Sequence, residues 1–257
     1  MSDGLKAFDD TSKQNLENEQ IILEDIVVIG NAEPDELSDG RKTVCTVGYH
    51  PKYGLMRIYP VPPNAPMKRW NVVKIPLEKN TSDSRHESWK IQGSKEKQLA
   101  TKIEVQKQLS RKEQLALLDE LMTKYSYDCV EDIYEQNHSL GFIKPSECST
   151  RFVNRPEQDA TVQKNLFSQE PFLTIHNYDV QPRMKYRCPK CKSKNPHDQQ
   201  ILEWGVYEGI RKNPLIKEKI LEGLHIDDST YDKKILVGNM FLHRSKFMVI
   251  SVYRFKR

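Results

Sequence analysis

Residues 43–61 read Thr43-Val44-Cys45-Thr46-Val47-Gly48-Tyr49, then His50-Pro51-Lys52-Tyr53-Gly54, then Leu55-Met56-Arg57-Ile58-Tyr59-Pro60-Val61. Two runs rich in β-branched and aromatic residues flank a Pro- and Gly-containing turn, the pattern of two strands joined by a reversal. Alternation along the second run puts Arg57 and Tyr59 on one face. Upstream, Ile21-Ile22-Leu23 and Ile26-Val27-Val28-Ile29 form a strand that ends at Gly30-Asn31, and Asp35 to Gly40 is a polar turn. Downstream, Trp70-Asn71-Val72-Val73-Lys74-Ile75-Pro76-Leu77 is a fourth strand. Short strands this closely spaced predict a small barrel or a compact antiparallel sheet.

Further along, Ser110-Arg-Lys-Glu113 matches a capping box, and Leu115, Leu118 and Met122 follow as one apolar stripe. This predicts a helical stretch over 94–123, with a short helix from Val130 to Tyr134. Phe142-Ile143-Lys144-Pro145 and Phe172-Leu173-Thr174-Ile175 read as short strands around a loop carrying Arg151 and Arg155. Asp198 is placed to cap a helix over Gln199–Lys212, and Asn213-Pro214 opens another over Leu215–Leu224. Ile235-Leu-Val and Phe247–Phe255 read as closing strands. The fold class is α+β, with an OB-like β-rich N-terminal half, a helical insertion and a zinc-binding α+β C-terminal half. The boundaries are a flexible acidic leader at 1–18, an OB-like β domain at 19–93, a helical segment at 94–140 and a zinc-binding α+β domain at 141–257.

The chemistry concentrates between Arg183 and Trp204. Cys188-Pro-Lys-Cys191 is a knuckle that lets two thiolates reach one tetrahedral ion, and His197 follows closely enough to be a third ligand. Turn composition argues against a redox pair, which opens a helix after a strand. No second knuckle follows, so the fourth ligand comes from a distance. His176, His225, His243 and Cys148 are the choices, with His243 favoured because it lies in a polar turn between two apolar runs. The expected cofactor is Zn2+ on Cys188, Cys191, His197 and His243. Three protein ligands plus water would instead make the site catalytic.

Charge points to nucleic acid. Residues 1–40 hold eleven acids and two lysines, a balance of −9, so the remainder of this chain of net charge +4 carries +13. The leader either competes with phosphate or only solubilises the chain. Six Lys or Arg and no acid lie between 183 and 195. The expected nucleic-acid contacts are Arg57, Lys68, Arg69 and Trp70 on the barrel, and Lys185, Arg187, Lys190, Lys192 and Lys194 around the knuckle. Tyr59 and Trp89 are aromatic candidates for stacking or for core packing. Asp83, Arg85 and Glu87 alternate and read as an ion-pair cluster. No P-loop, dinucleotide fingerprint, nucleophile elbow or His-Glu-x-x-His helix occurs in the sequence. For catalysis, His197, Asp198, Glu203 and His243 remain as candidates, in a metal-dependent phosphodiesterase or nuclease. A third reading is a non-catalytic docking subunit of a larger protein complex.

Val-Cys-Thr-Val-Gly-Tyr with Gly-Leu-Met-Arg-Ile-Tyr-Pro-Val, the segment Asn80 to Trp89, Cys188-x2-Cys191…His197…Glu203-Trp204, and Val237-Gly-Asn…His243…Phe247-Met-Val-Ile together resemble uncharacterised bacterial proteins with an OB-type barrel. Some of those occur in conflict and mobile-element systems. The resemblance implies a family, and a part in bacterial defence, rather than an activity. Five cysteines without a disulfide-framework spacing fit a reducing, cytoplasmic setting, and no apolar run is long enough to span a bilayer.

Overall fold

The computed structural model describes residues 21–36, 40–93, 99–154 and 180–257. The expected acidic leader, Arg155, the Phe172–Ile175 strand and His176 lie outside the described residues. The N-terminal sheet comprises β1 (Ile21–Asn31), β2 (Asp35–Glu36), β3 (Lys42–His50), β4 (Gly54–Val61), β5 (Asn71–Lys79), β6 (Ser88–Ile91) and β7 (Glu104–Gln108). Five of these strands close on themselves. β1 pairs with β3, β3 with β4, β4 in parallel with β6, β6 with β5, and β5 returns to β1. Full closure removes sheet edges, the usual liability of short strands.

Alternation divides the side chains between two layers. Val28, Met56, Ile58, Val73, Ile75, Leu77 and Trp89 fill the barrel. Gly48 is the close point of that wall, where an added Cβ would meet Ile26 Cγ2 at 2.8 Å. Facing outward, Ile29, Val47, Tyr49 and Leu55 are equally buried. They are covered by α1 (Arg111–Tyr125), by β8 (Leu140–Ile143), and by the hairpin of β12 (Tyr231–Asn239) and β13 (Phe247–Lys256), which with β8 makes a second sheet. The outer face of the strands that an OB barrel uses for ligands is therefore occupied by the chain's own C-terminal half.

A third sheet runs β9 (Ser146–Asn154), β10 (Val180–Arg187), β11 (His197–Gln200), in the spatial order β11-β10-β9. It packs with α2 (Val130–Glu135), α3 (Trp204–Lys212) and α4 (Lys217–Glu222) on the other side of the β8–β12–β13 sheet, around Met184, Tyr186, Ile201, Val206, Ile235 and Val249. Among the described residues no helix is long and apolar enough to cross a membrane.

Three helices are shorter than expected: α4 covers only Lys217–Glu222 of the expected Leu215–Leu224, after a 3-10 turn at Pro214–Ile216. The Ser110 box forms with both of its hydrogen bonds, so α1 begins at Arg111 and cannot extend backward. Glu104–Gln108 ahead of it is a strand that pairs with β5. Likewise Asp198 caps nothing. It lies in β11, paired with Lys185 of β10, and its carboxylate is held by Arg183 and Arg151, so α3 starts only at Trp204.

Arg57 and Tyr59 do share a face, but the face is interior. Tyr59 is buried beside Cys45 and Leu202, its hydroxyl oxygen accepting from Thr43 Oγ1 at 3.1 Å. Arg57 is 1% exposed and donates to Ser139 Oγ at 2.9 Å and to the Ser139 carbonyl at 2.5 Å. Beside it, Asp83 takes a forked pair of bonds from Arg85, and Glu87 accepts from Ser139 N and Oγ, both at 2.9 Å. Arg57 therefore joins the barrel to the C-terminal half instead of meeting phosphate; of the alternating trio, Asp83 and Arg85 form an ion pair, and Glu87 is held by Ser139. Trp89 is core.

Candidate metal centre

The knuckle is the connection of a hairpin. β10 runs up to Arg187, Cys188 and Cys191 occupy the turn, and β11 returns with His197 opposite Tyr186. Pairing across the hairpin thus brings residue 197 back beside residue 188. A second segment meets the turn from 59 residues upstream. Cys129 stands immediately before α2, and the Lys190 backbone N–H donates to the Asp128 carbonyl at 3.0 Å, clipping the knuckle to it.

The ligand atoms of Cys129, Cys188, Cys191 and His197 all lie within 4.8 Å of one another. His197 Nε2 is 3.3 Å from Cys191 Sγ and 3.9 Å from Cys129 Sγ. Tetrahedral zinc, with bonds of about 2.3 Å to sulfur and about 2.0–2.1 Å to nitrogen, sets ligand atoms roughly 3.5–3.8 Å apart. The donor set fits such an ion. Cys129 and Cys188 are buried and the other two half-buried. Burial pushes the Cys188 thiol well above its ordinary range, the Val130 amide draws it back, and Cys129 and Cys191 push it up again. A cation between these sulfurs would offset that cost to the Cys188 thiolate. Burial, with Arg187, keeps His197 below its ordinary value against the pull of Glu131, which favours the neutral, ligating imidazole.

His243 is elsewhere. It is exposed in the turn between β12 and β13, where its carbonyl accepts from Lys246 N. Cys148 is also outside the group, its thiol pushed up to about 11 by burial. Nothing local marks Cys129, since no spacing rule spans the distance from it to Cys188. Among the described residues these four are the one group of three or more potential ligands. The catalytic candidates His197, Asp198, Glu203 and His243 are therefore not brought together. Glu203 is buried, accepting from Arg69 Nη1 at 2.9 Å and from Val252 N at 2.8 Å.

The basic loop around the knuckle is largely neutralised. Lys190 pairs with Asp128 at 2.6 Å, Lys192 with Asp132 at 2.8 Å and Glu135 at 2.7 Å, and Arg187 with Glu147 at 3.2 Å. Lys185 and Lys194 are exposed without an acidic partner among the described residues. On the barrel side Lys68 is exposed, whereas Arg69 and Trp70 are half-buried against the C-terminal half.

Residues 23–120 match the model of a domain of unknown function, DUF8758, and residues 130–257 match that of a second, DUF8757. No curated protein and no solved structure matches the chain. Residues 121–129, which hold the end of α1 and Cys129, lie between the two matches.

Proposed function

We propose that the chain is a zinc-stapled protein that binds nucleic acid and has no catalytic metal. The observation that carries the zinc assignment is the Cys129–Cys188–Cys191–His197 cluster. Four protein ligands close a tetrahedral site, which suits a structural ion rather than one that must leave a position for water. Its fourth ligand, Cys129 in the segment before α2, makes the ion a clamp between the β10–β11 hairpin and the helix. The nucleic-acid assignment rests on the +13 body of the chain and its acidic leader. Elemental analysis of purified protein tests the first part, with one zinc per chain expected and none contradicting it. Binding of labelled single strands with a steep salt dependence tests the second. The resemblance to bacterial conflict-system proteins extends the reading to a cytoplasmic role in defence or mobile-element biology, and a map of neighbouring genes tests that extension.

A further inference from the structure

A cleft of about 460 Å³ opens where the barrel, the first turn of α1 and the end of β13 meet. Its wall includes Arg69, Trp70, Arg111, His225, Arg254 and Lys256, and no Asp or Glu lines it. Such a volume lies in the range of small-ligand sites. Of its four permanent cations only Arg69 has an acidic partner, Glu203. Arg111, Arg254 and Lys256 have none among the described residues. This inverts the situation at the knuckle, where most cations are paired.

Aromatic rings hold two of the guanidiniums in place. Arg111 lies over Phe255 at 5.7 Å from the ring centre, and Arg69 over Tyr253 at 5.8 Å. Tyr253 is fixed in turn by its hydroxyl, which donates to the Ile29 carbonyl of the barrel. The backbone is also costly here. Trp70 and His225 both adopt left-handed conformations, with φ of 74° and 51°, which non-glycine residues rarely take. Trp70 is held so by its N–H donating to Val28 O at 2.7 Å and its carbonyl accepting from Leu109 N at 2.9 Å. His225, 3.8 Å from Asp228, stacks on Tyr231 at 4.2 Å, so it contributes a wall rather than a free charge. Cations gathered without counter-charges repel one another, and an anion in the cleft would relieve that cost. Guanidiniums are suited to phosphate because their planar fork matches two phosphoryl oxygens.

We infer that this cleft binds phosphate groups, through Arg111, Arg254 and Lys256, with Arg69 at its edge. The source is either the backbone of a nucleic-acid strand or a nucleoside polyphosphate. The strand version rests on the nucleic-acid reading above, and the nucleotide version does not.

The test uses the full-length, zinc-loaded protein with a fluorescein-labelled single strand of roughly ten nucleotides, within the usual site size for such folds, and with ATP and tripolyphosphate as competitors. Arg111→Gln with Arg254→Gln should weaken strand binding by about tenfold or more and flatten the logarithmic salt slope by about 1.4–1.8. The melting temperature should stay at the wild-type value, and Lys256→Gln should act in the same direction. Lys190→Gln with Lys192→Gln should leave binding at wild-type strength. If ATP and tripolyphosphate bind in an Arg111- and Arg254-dependent way while the strand does not bind, the cleft stands and the nucleic-acid reading falls. If the strand binds Arg111→Gln/Arg254→Gln as well as wild type, and ATP and tripolyphosphate show no dependence on those residues, the cleft is overturned and that reading survives. Absence of binding by every probe at about 1 mM, above the usual range of non-specific affinities, overturns both.

Discussion

Two regions of this molecule are rich in Lys and Arg, and they have opposite fates. The knuckle loop, Arg183 to Lys194, carries six cations and no acid, yet Asp128, Asp132, Glu135, Glu147 and Asp198 neutralise four of the six. The cleft at the barrel junction draws its cations from three separate stretches, residues 69, 111 and 254–256, and three of the four have no acidic partner among the described residues. Charge density along a sequence measures how many cations are close in the chain. Availability depends on which acids the fold brings to them. At the knuckle three of those acids, Asp128, Asp132 and Glu135, sit on the segment that also delivers Cys129, so their pairs with Lys190 and Lys192 help to dock the metal hairpin instead of addressing a ligand.

Substitutions in the two regions differ widely in their expected effects. The largest effect belongs to the metal. Cys129→Ser, or Cys188→Ser with Cys191→Ser, should release zinc and unfold the C-terminal half in thermal melts. Binding at structural zinc sites is on the order of 10 kcal/mol, as large as the whole stability of an ordinary domain. His243→Ala should retain one zinc and the wild-type melting temperature. Zinc loss in the His243 variant with retention in Cys129→Ser would exchange their roles.

Next comes the buried network. Burial would raise the Asp83 carboxyl, but the hydrogen bonds and charge of Arg85, with Ser88, more than reverse this and hold it below its ordinary 3.8. A depressed folded-state pKa contributes stability above the unfolded value and loses it as pH falls through the folded one. Asp83→Asn should therefore cost about 3–5 kcal/mol at pH 7 in denaturant unfolding, and the gap to wild type should close as the pH drops below about 3.8. A gap independent of pH would mean that packing, not the ion pair, is responsible.

A smaller effect is expected from Ser110→Ala, which removes the cap of the turn that presents Arg111 to the cleft. It should lower stability by about 1 kcal/mol and weaken phosphate binding less than Arg111→Gln does. The smallest is Lys190→Gln with Lys192→Gln, for which no change in nucleic-acid binding is expected by anisotropy. A loss there equal to that of the cleft variants would restore the knuckle loop as the contact surface.

Much of the barrel was legible because its signals are local. Period-two alternation and turn residues mark β1, β3, β4 and β5 within a residue or so, and the Ser110–Glu113 box places the start of α1. The same locality explains the errors. Glu104–Gln108 sits in a polar stretch that suggests a helix face, but β5 offers it a partner strand, a long-range fact. Arg57 alternates as a surface residue would, yet the C-terminal sheet folds over it. At the metal centre the knuckle and His197 follow spacing rules, whereas Cys129 is identified only by where α2 lands. The cleft was not legible, since its walls come from four distant segments.

The most direct test of the account is zinc X-ray absorption on the purified full-length chain. The expected spectrum shows one zinc per chain with three sulfur neighbours at about 2.3 Å and one nitrogen at about 2.0–2.1 Å, falling to two sulfurs or to loss of the metal in Cys129→Ser. A wild-type spectrum with two sulfurs and two nitrogens, unchanged by Cys129→Ser, or a protein free of zinc, would contradict it.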